Sequence, residues 1–248
     1  MASEQHQISS SEFMLHTPAL EKEADNIMGY MSSLSPIQIS EILGISQQLS
    51  IKAHSLAYDF PHKLTGYQAL YAFIGEAYRG LDIKTLDEKI QNDADNFLRI
   101  ISSVYGILKP SDIIKPYRCE YTKPICPGGK TPVQVFKSKN TIEVVNYLKE
   151  KKDKDLIDLL PADADKCLDW KIIRAFTSVH KVCFQTITPD GRLKTPIAQK
   201  LKELRGIMCR TIMEKGIKSF EELKSVESEH FIFSPKDSKP GLPVFISA

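Results

Sequence analysis

The chain has 248 residues, of which 42% are hydrophobic and 26% are charged, and its formal net charge at pH 7 is +2. This composition is typical of a globular protein and excludes collagen-like, intrinsically disordered and membrane-embedded classes. Because the overall charge is close to zero, any nucleic-acid site has to be a local concentration of cations.

The first half of the chain has mainly helical periodicity. Ser35 followed by Pro36 predicts an N-cap and the first residue of a helix, and Thr85 with Glu88 predicts a second helix start. Residues 1–11 are polar, and we expect them to be disordered or frayed. The other predicted elements are a strand at 13–15, helical structure over 19–63, and helices at 65–73 and 85–101.

The second half of the chain mixes strands with helices. Residues 102–133 are rich in proline and glycine and predict loops. The sequence Gly128-Gly129-Lys130 predicts a turn and not a phosphate-binding loop, because Pro124 stands where that loop needs an earlier glycine. The other predicted elements are helices at 141–151 and 197–215, strands at 156–160, 171–176, 182–187, 231–233 and 244–246, and a turn at 189–191.

The order of these elements indicates the fold class. Helices and strands follow one another without strict alternation, which favours an α+β or mixed α/β fold over a doubly wound sheet. No internal repeat and no linker rich in glycine or serine divides the chain. Residues 12–248 are therefore predicted to form a single compact domain, with a mixed sheet and surrounding helices.

Cysteine and histidine spacing gives no signal for a disulfide framework or a metal. The five cysteines are an odd number and include no Cys-x-x-Cys pair, which favours free thiols in a reducing compartment. The six histidines lack ligand spacing, so no zinc site and no other cofactor is predicted. No nucleophile motif assigns a catalytic residue. The polar N-terminus and the lack of a long apolar run predict a soluble, cytoplasmic protein with no membrane partner.

Positive charge is concentrated in two segments. The first basic segment, residues 99–130, has six cations and two anions, with Tyr105, Tyr117 and Tyr121 between them. Cations interleaved with aromatic rings are typical of surfaces that contact nucleic-acid backbones and stack on bases. Gly106 would allow a turn to present backbone amides to a phosphate. The alternative is a solvated loop whose tyrosines pack into the protein body.

The second basic segment, residues 181–218, has nine cations and three anions. It includes the predicted helix at 197–215, which has two stripes of side chains. The apolar stripe comprises Ile197, Leu201, Leu204, Met208 and Ile212, and the second stripe comprises Lys202, Arg205, Gly206 and Cys209. The glycine between cations predicts a flat positive patch where a phosphate approaches the helix backbone. The alternative is an ordinary solvated face, because lysine and arginine commonly occupy such positions.

Three long motifs lie in or near these segments. Residues 103–120 contain Ser-Val-Tyr-Gly-Ile-Leu-Lys-Pro, then Asp, then Lys-Pro-Tyr-Arg-Cys-Glu. Residues 73–81 are Phe-Ile-Gly-Glu-Ala-Tyr-Arg-Gly-Leu, and residues 202–210 are Lys-Glu-Leu-Arg-Gly-Ile-Met-Cys-Arg. In order and spacing they resemble the motifs of the YaaA-like peroxide-stress family, also called UPF0246. The resemblance extends from about residue 13 to residue 245.

This resemblance implies a mixed α/β domain with a positively charged cleft, in a cytoplasmic protein that helps cells survive hydrogen peroxide. It also implies that the protein limits free intracellular iron and binds double- or single-stranded DNA through a helix-hairpin-helix-like element. No enzymatic reaction is established for the family. The matched motifs place the cleft at Gly75, Glu76, Tyr78, Tyr105, Gly106, Lys109, Tyr117, Arg118, Glu120, Lys202, Arg205, Gly206 and Arg210.

The chain departs from the family motifs at four positions. Leu20 and Ile74 replace two lysines, Glu76 replaces an aspartate, and Ser103 replaces the glycine of the hairpin turn. Loss of two cations makes the expected cleft less basic, which also fits a smaller ligand. The alternative to DNA is therefore a phosphorylated or nucleobase-like metabolite bound by Glu76, Tyr78, Arg118, Glu120 and Arg205.

Cys209 has two alternative interpretations. It lies four residues after Arg205 on the same helix face, and a nearby guanidinium favours the thiolate that peroxide oxidises. This position predicts a redox-active thiol. The alternative is a buried, inert thiol.

Overall fold

A computed structural model describes residues 16–62, 66–151 and 154–247. Its helices are α1 (Glu21–Ser33), α2 (Pro36–Leu43), α3 (Gln47–Asp59), α4 (Ala69–Ala72), α5 (Glu76–Leu81), α6 (Glu88–Asp93), α7 (Pro132–Lys151), α8 (Trp170–Ile173), α9 (Ala198–Lys215) and α10 (Phe220–Lys224). Its strands are β1 (Tyr67–Gln68), β2 (Ile100–Ser102), β3 (Gly106–Leu108), β4 (Ile113–Ile114), β5 (Asp155–Asp158), β6 (Ser178–Lys181), β7 (Cys183–Ile187), β8 (Leu193–Lys194), β9 (Phe231–Phe233) and β10 (Val244–Ser247). The frayed residues 1–11 and the strand at 13–15 that the sequence predicts lie outside the described residues.

Contacts between residues divide the chain into two compact units. The first unit comprises Met1–Ile74, Asn92–Glu143 and Ala162–Asp169, and the second comprises Gly75–Gln91, Val144–Pro161 and Trp170–Ala248. Both units contain helices and strands, which confirms the predicted mixed α/β class. The assignment of residues 12–248 to one domain stays a prediction.

The first unit begins with three helices, α1 to α3, of which α3 packs against the other two. Helix α2 begins at the predicted N-cap, where the Ser35 hydroxyl accepts a hydrogen bond from the Gln38 amide at 3.3 Å. The Gln38 side chain accepts in return from the Ser35 amide at 2.8 Å, which completes a capping box. Small or flexible side chains of α1 and α3, Ala24, Met28 and Ala53, are fully buried.

The first unit also contains a β-hairpin that the sequence does not predict. Strands β2 and β3 pair antiparallel, with Ile100 opposite Leu108 and Ser102 opposite Gly106, and both strands are buried. A second antiparallel pair joins β1 to β4. The hairpin lies inside the first basic segment, so it determines how that segment presents its side chains.

The second unit is built on a four-stranded mixed sheet in the order β8-β7-β10-β9. Strands β7 and β10 are parallel, and the other neighbours are antiparallel. Three phenylalanines from adjacent strands, Phe184, Phe231 and Phe245, meet in its core. Helix α9 adds Leu204 and Met208 to the same cluster, which fixes the helix against the second unit's apolar core.

Several predicted boundaries are wrong. The predicted helix at 85–101 is reduced to α6, and its last residues belong to β2. Residues 171–176, predicted as a strand, overlap α8 and leave Phe176 exposed. Short apolar runs fit a strand or a helical turn equally well, so periodicity does not distinguish them. Among the helices in the described ranges, none has the length and apolar character needed to cross a membrane.

Candidate functional site

Two of the predicted cleft tyrosines hold the β2–β3 hairpin together. The Ser102 hydroxyl accepts hydrogen bonds from the amides of Val104 and Tyr105, at 3.1 and 2.9 Å, and lies 2.8 Å from the Tyr117 hydroxyl. The Tyr105 hydroxyl accepts from the Lys115 amide at 2.9 Å. Both tyrosines are 2% exposed, and burial raises the pKa of each hydroxyl. Their rings therefore pack inside the first unit and are not presented for base stacking.

Gly106 lies at a position that only glycine fits without strain. Its φ is 67°, and a Cβ atom there would lie 2.6 Å from the Asn140 side-chain oxygen and 2.7 Å from Leu20. Leu20, which replaces a family lysine, thus packs beside the turn. The turn joins two β-strands, so the helix-hairpin-helix-like geometry expected at Gly106 is replaced by a β-hairpin.

Ser103 fits the turn for a different reason. In the described ranges, Asp82 is the single non-glycine residue with a positive φ. Ser103 therefore has an unstrained backbone, although the family has a glycine at this position. Its hydroxyl donates to the Cys119 carbonyl at 2.8 Å. The serine therefore ties the hairpin to the strand-like segment that carries Tyr117 and Arg118.

Some cations of the first basic segment form hydrogen bonds within the protein, and others are exposed to solvent. The Arg99 guanidinium donates to two backbone carbonyls, and the Lys115 ammonium donates to the Phe60 carbonyl at 2.8 Å. Arg118 is half-buried, as is Glu120. Lys109 and Lys130 are exposed, so these two lysines present the segment's charge to solvent.

In the second unit, α5 carries three predicted site residues at its N-terminus. Gly75 is the exposed N-cap, and Glu76 and Tyr78 are half-buried in the first turns. The Glu76 carboxylate forms an ion pair with Arg79 at 2.9 Å. The Glu76 carboxylate is thus directed along its own helix.

Helices α5 and α9 pack with their backbones in contact at two glycines. A Cβ atom at Gly206 would lie 1.8 Å from the Ala77 carbonyl oxygen, and one at Gly80 would lie 2.3 Å from the Glu203 carbonyl oxygen. Gly206 is buried. The flat patch that the sequence predicts beside Arg205 is therefore covered by α5, and a phosphate cannot reach the helix backbone there.

Arg210 binds the carbonyl groups at the C-terminal end of α5. Its guanidinium donates to the carbonyls of Leu81 and Asp82, at 3.1 and 2.9 Å, and to the Thr85 hydroxyl at 2.7 Å. It also pairs with Glu214 at 2.7 Å. Carbonyl groups at a helix end lack intrahelical partners, so a cation that binds them stabilises the end. This arginine supports the α5–α9 pair rather than an open cleft.

Lys202 and Arg205 are the predicted α9 cations that remain at the surface. Lys202 is exposed, and Arg205 is half-buried close to Cys183. Burial raises the pKa of the Cys183 thiol, whereas Lys181 and Arg205 lower it in part. The thiol within reach of the Arg205 charge is therefore Cys183. The sequence spacing predicts Cys209 as the thiol beside Arg205. The proximity of Cys183 to Arg205 becomes visible only in the structure, because Cys183 is on β7 and Arg205 is on α9.

All five cysteines are free; Cys119, Cys126 and Cys167 are buried, whereas Cys183 and Cys209 are half-buried residues. We expect iodoacetamide at pH 8 to alkylate Cys183 first, because it is half-exposed and flanked by two cations. Burial raises the pKa of Cys126, Cys167 and Cys209 to about 12. At pH 8 these thiols are therefore almost entirely protonated in the folded state, and the protonated thiol does not react. Peptide mass spectrometry over time measures the order, and modification of Cys209 as fast as Cys183 would contradict it.

The structure thus gathers the predicted site residues into two groups. The hairpin of the first unit and the segment that follows it carry Tyr105, Gly106, Lys109, Tyr117, Arg118 and Glu120. The α5–α9 pair of the second unit carries Gly75, Glu76, Tyr78, Lys202, Arg205, Gly206, Arg210 and Cys209. Convergence of both groups in one cleft stays a prediction. Within the described ranges, no group of three or more histidine, cysteine or acidic side chains is placed to hold a metal ion.

The fold and these motifs define a mixed α/β protein with basic segments carried on a hairpin and on a helix pair. Residues 1–237 match the protein family described as Peroxide stress protein YaaA. Similar relatives include a UPF0246 protein of Alteromonas mediterranea, 32% identical over 89% of this chain and 85% of its own length. Others are UPF0246 proteins of Shewanella denitrificans, 31% identical with coverages of 93% and 90%, and Polynucleobacter necessarius, 30% identical with coverages of 92% and 88%. The chain belongs to the YaaA peroxide stress family, and this membership supports a role in peroxide stress.

Proposed function

We propose that this protein acts in the peroxide stress response by binding DNA through exposed cations of its two basic segments, and by limiting free iron. Iron(II) reduces hydrogen peroxide to a hydroxyl radical, and this radical damages nearby DNA. A protein that binds DNA and also lowers free iron would therefore protect DNA in two ways. The iron role rests on what the resemblance of the motifs to the YaaA-like family implies. Chelatable iron in peroxide-treated cells with and without the protein tests that role, and equal levels would contradict it.

A single observation carries the DNA part of the proposal. Exposed lysines of the second basic segment, Lys194 and Lys202, have no carboxylate partner among the described residues. Several other cations of the segment bind groups of the protein, since Lys200 pairs with Glu203 and Arg210 binds the end of α5. Exposed charge without a carboxylate partner among the described residues lies on β8, on the first turns of α9, and at Lys218 after the end of α9.

Exposed, uncommitted lysines suit contacts with a phosphate backbone. Each lysine that neutralises a phosphate releases a condensed counterion, which makes binding favourable and dependent on salt. Lys109 and Lys130 of the first basic segment are exposed in the same way. Because the buried tyrosines do not offer rings for stacking, we expect contacts with the sugar-phosphate backbone and little sequence preference.

We expect the double substitution Lys194→Gln with Lys202→Gln to weaken binding of a short DNA duplex. Loss of two phosphate contacts should reduce the slope of log affinity against log salt concentration by about 1.8. Fluorescence anisotropy with a labelled duplex, repeated at several salt concentrations, measures both the affinity and the slope.

The matched control is Lys52→Gln with Lys89→Gln, which removes the same charge from two exposed lysines outside both basic segments. We expect the control to keep the wild-type slope. An equal loss of DNA affinity in both double variants would show that only the net charge of the protein matters, and it would contradict a local binding site. No binding by the wild-type protein would overturn the DNA proposal.

A further inference from the structure

The second unit contains a cavity that none of the predicted site residues line. Its volume is about 670 Å³, and it is bordered by Arg174, residues 177–180, helix α10, Phe233, residues 238–241 and Pro243. This volume falls within the range of roughly 300 to 1,000 Å³ that is usual for small-molecule sites. We call it the His180 cavity, after the histidine in its wall.

His180 is held in one orientation by its neighbours. Its Nε2 atom lies 2.7 Å from Asp155 Oδ1, and the other oxygen of Asp155 accepts from the Phe220 amide at 3.1 Å. The imidazole ring stacks on the Phe220 ring, with centroids 3.9 Å apart and planes 17° from parallel. Parallel pairing of β5 with β6 brings Asp155 and His180 together.

This arrangement leaves one nitrogen of His180 unused. The Asp155 carboxylate only accepts hydrogen bonds, so the ring proton belongs on Nε2 and Nδ1 of the neutral ring is an acceptor. Nδ1 is buried and has no hydrogen-bond partner among the described residues. A buried polar atom without a partner is unfavourable, so the stacking on Phe220 and the contact with Asp155 must outweigh that cost.

Positive charge is in excess around the cavity. Three cations line it, Arg174, Lys224 and Lys239, against one carboxylate, Glu221. Glu221 pairs with Lys224 at 2.5 Å. Arg174 and Lys239 are exposed and have no carboxylate partner within the described ranges.

The same cavity has an aromatic wall. The rings of Phe220 and Phe233 meet edge to face, with centroids 6.2 Å apart, and both residues line the cavity. Flat aromatic surfaces bind planar rings through stacking or edge contacts. Cations beside an aromatic wall therefore match a ligand that has a charged group and a flat ring.

We propose that the His180 cavity binds a small organic anion with a planar ring. Arg174 and Lys239 hold its phosphate or carboxylate, and the ring packs against Phe220 and Phe233, beside the imidazole of His180. This site is independent of the DNA surface proposed above, because Lys194 and Lys202 do not line it.

Isothermal titration calorimetry with four probes tests the proposal. AMP and nicotinate each combine a planar ring with an anion, whereas adenosine lacks the charge and inorganic phosphate lacks the ring. We expect AMP or nicotinate to bind at least ten times more tightly than adenosine or phosphate. Lack of binding by both ring-bearing anions at millimolar concentration would overturn the proposal. Equal affinity for inorganic phosphate would overturn it too, by showing an unspecific anion site.

A charge-matched pair of variants locates the binding. We expect the double variant Arg174→Gln with Lys239→Gln to weaken binding of the tighter ring-bearing anion at least tenfold. The control is Lys154→Gln with Lys236→Gln, which changes two exposed lysines outside the cavity. We expect the control to bind as tightly as the wild type. Nitrogen-15 NMR of the histidine rings adds a readout in the wild-type protein. Because His180 lines the cavity, binding should shift the signals of its ring nitrogens. A shift confined to other histidines, or equal weakening in both variants, would contradict the assignment.

Discussion

Replacement of Gly206 by alanine is expected to destabilise the second unit strongly. The new Cβ atom would lie 1.8 Å from the Ala77 carbonyl oxygen and 2.7 Å from the Leu81 amide nitrogen. Both are backbone atoms of α5, so no side-chain rotation relieves the overlap. Helices α5 and α9 must separate, and their contacts with each other are lost.

The size of this effect follows from two opposing contributions. Alanine is about 1 kcal/mol better than glycine in a helix interior. Forced overpacking costs about 1 to 3 kcal/mol and more where the backbone itself must move. We expect a net loss of about 2 kcal/mol or more in the free energy of unfolding, which lowers the melting temperature by roughly 4 to 8 °C.

Gly29→Ala is the matched control, because Gly29 lies in the middle of α1 and no atom outside its own helix lies within 4 Å of the added Cβ. We expect this variant to be as stable as the wild type or slightly more stable. Gly80→Ala should resemble Gly206→Ala, since its Cβ meets the Glu203 carbonyl oxygen at 2.3 Å. Thermal unfolding followed by circular dichroism gives all three values. A Gly206→Ala protein as stable as Gly29→Ala would show that the helices are not in backbone contact.

The same interface shows why part of the candidate site could not be predicted. The sequence correctly predicts α9 to within one residue, because its apolar side chains recur with the helical period over many turns. It also places Arg205 beside Gly206 on one face. That this face is covered depends on α5, which is more than 100 residues away in sequence, and the amphipathic pattern of α9 contains no information about it.

Arg210 illustrates the same limit for charge. Sequence counting shows an excess of cations in the second basic segment, but it cannot show which cations bind backbone carbonyls. Arg210 binds carbonyls of residues 128 and 129 positions earlier, and Lys115 binds the Phe60 carbonyl 55 positions earlier. The number of cations available to a ligand is therefore smaller than the sequence suggests.

His180 was missed because its partner is not at any recognisable spacing. Asp155 precedes it by 25 residues and reaches it through the parallel pairing of β5 and β6. The sequence predicts β5, but it predicts a strand at 171–176 where the chain forms α8 and does not predict β6. Without the correct strand, the register that joins aspartate to histidine cannot be derived.

The second large effect on stability is expected at Ser102 in the β2–β3 hairpin, because its hydroxyl accepts hydrogen bonds from two buried backbone amides. We expect Ser102→Ala to leave the amides of Val104 and Tyr105 without an acceptor inside the first unit. An unsatisfied buried donor costs about 1 to 3 kcal/mol. The expected loss is therefore about 3 kcal/mol in the free energy of unfolding, measured by urea denaturation.

Two further variants separate this mechanism from a general effect of losing a serine. Ser55→Ala removes an exposed hydroxyl bonded only to Asp59, so we expect a change within about 0.5 kcal/mol. Tyr117→Phe removes the third partner of the Ser102 hydroxyl and leaves both amides satisfied, so we expect a loss of about 1 kcal/mol.

Amide hydrogen exchange distinguishes the variants by location. In Ser102→Ala the amides of residues 104 and 105 should exchange faster than in the wild type, because the bonds that protect them are gone. In Tyr117→Phe they should remain protected. If Ser102→Ala keeps both stability and protection, the serine does not hold the turn, and the strand register that positions Lys109 must be fixed by β2–β3 pairing alone.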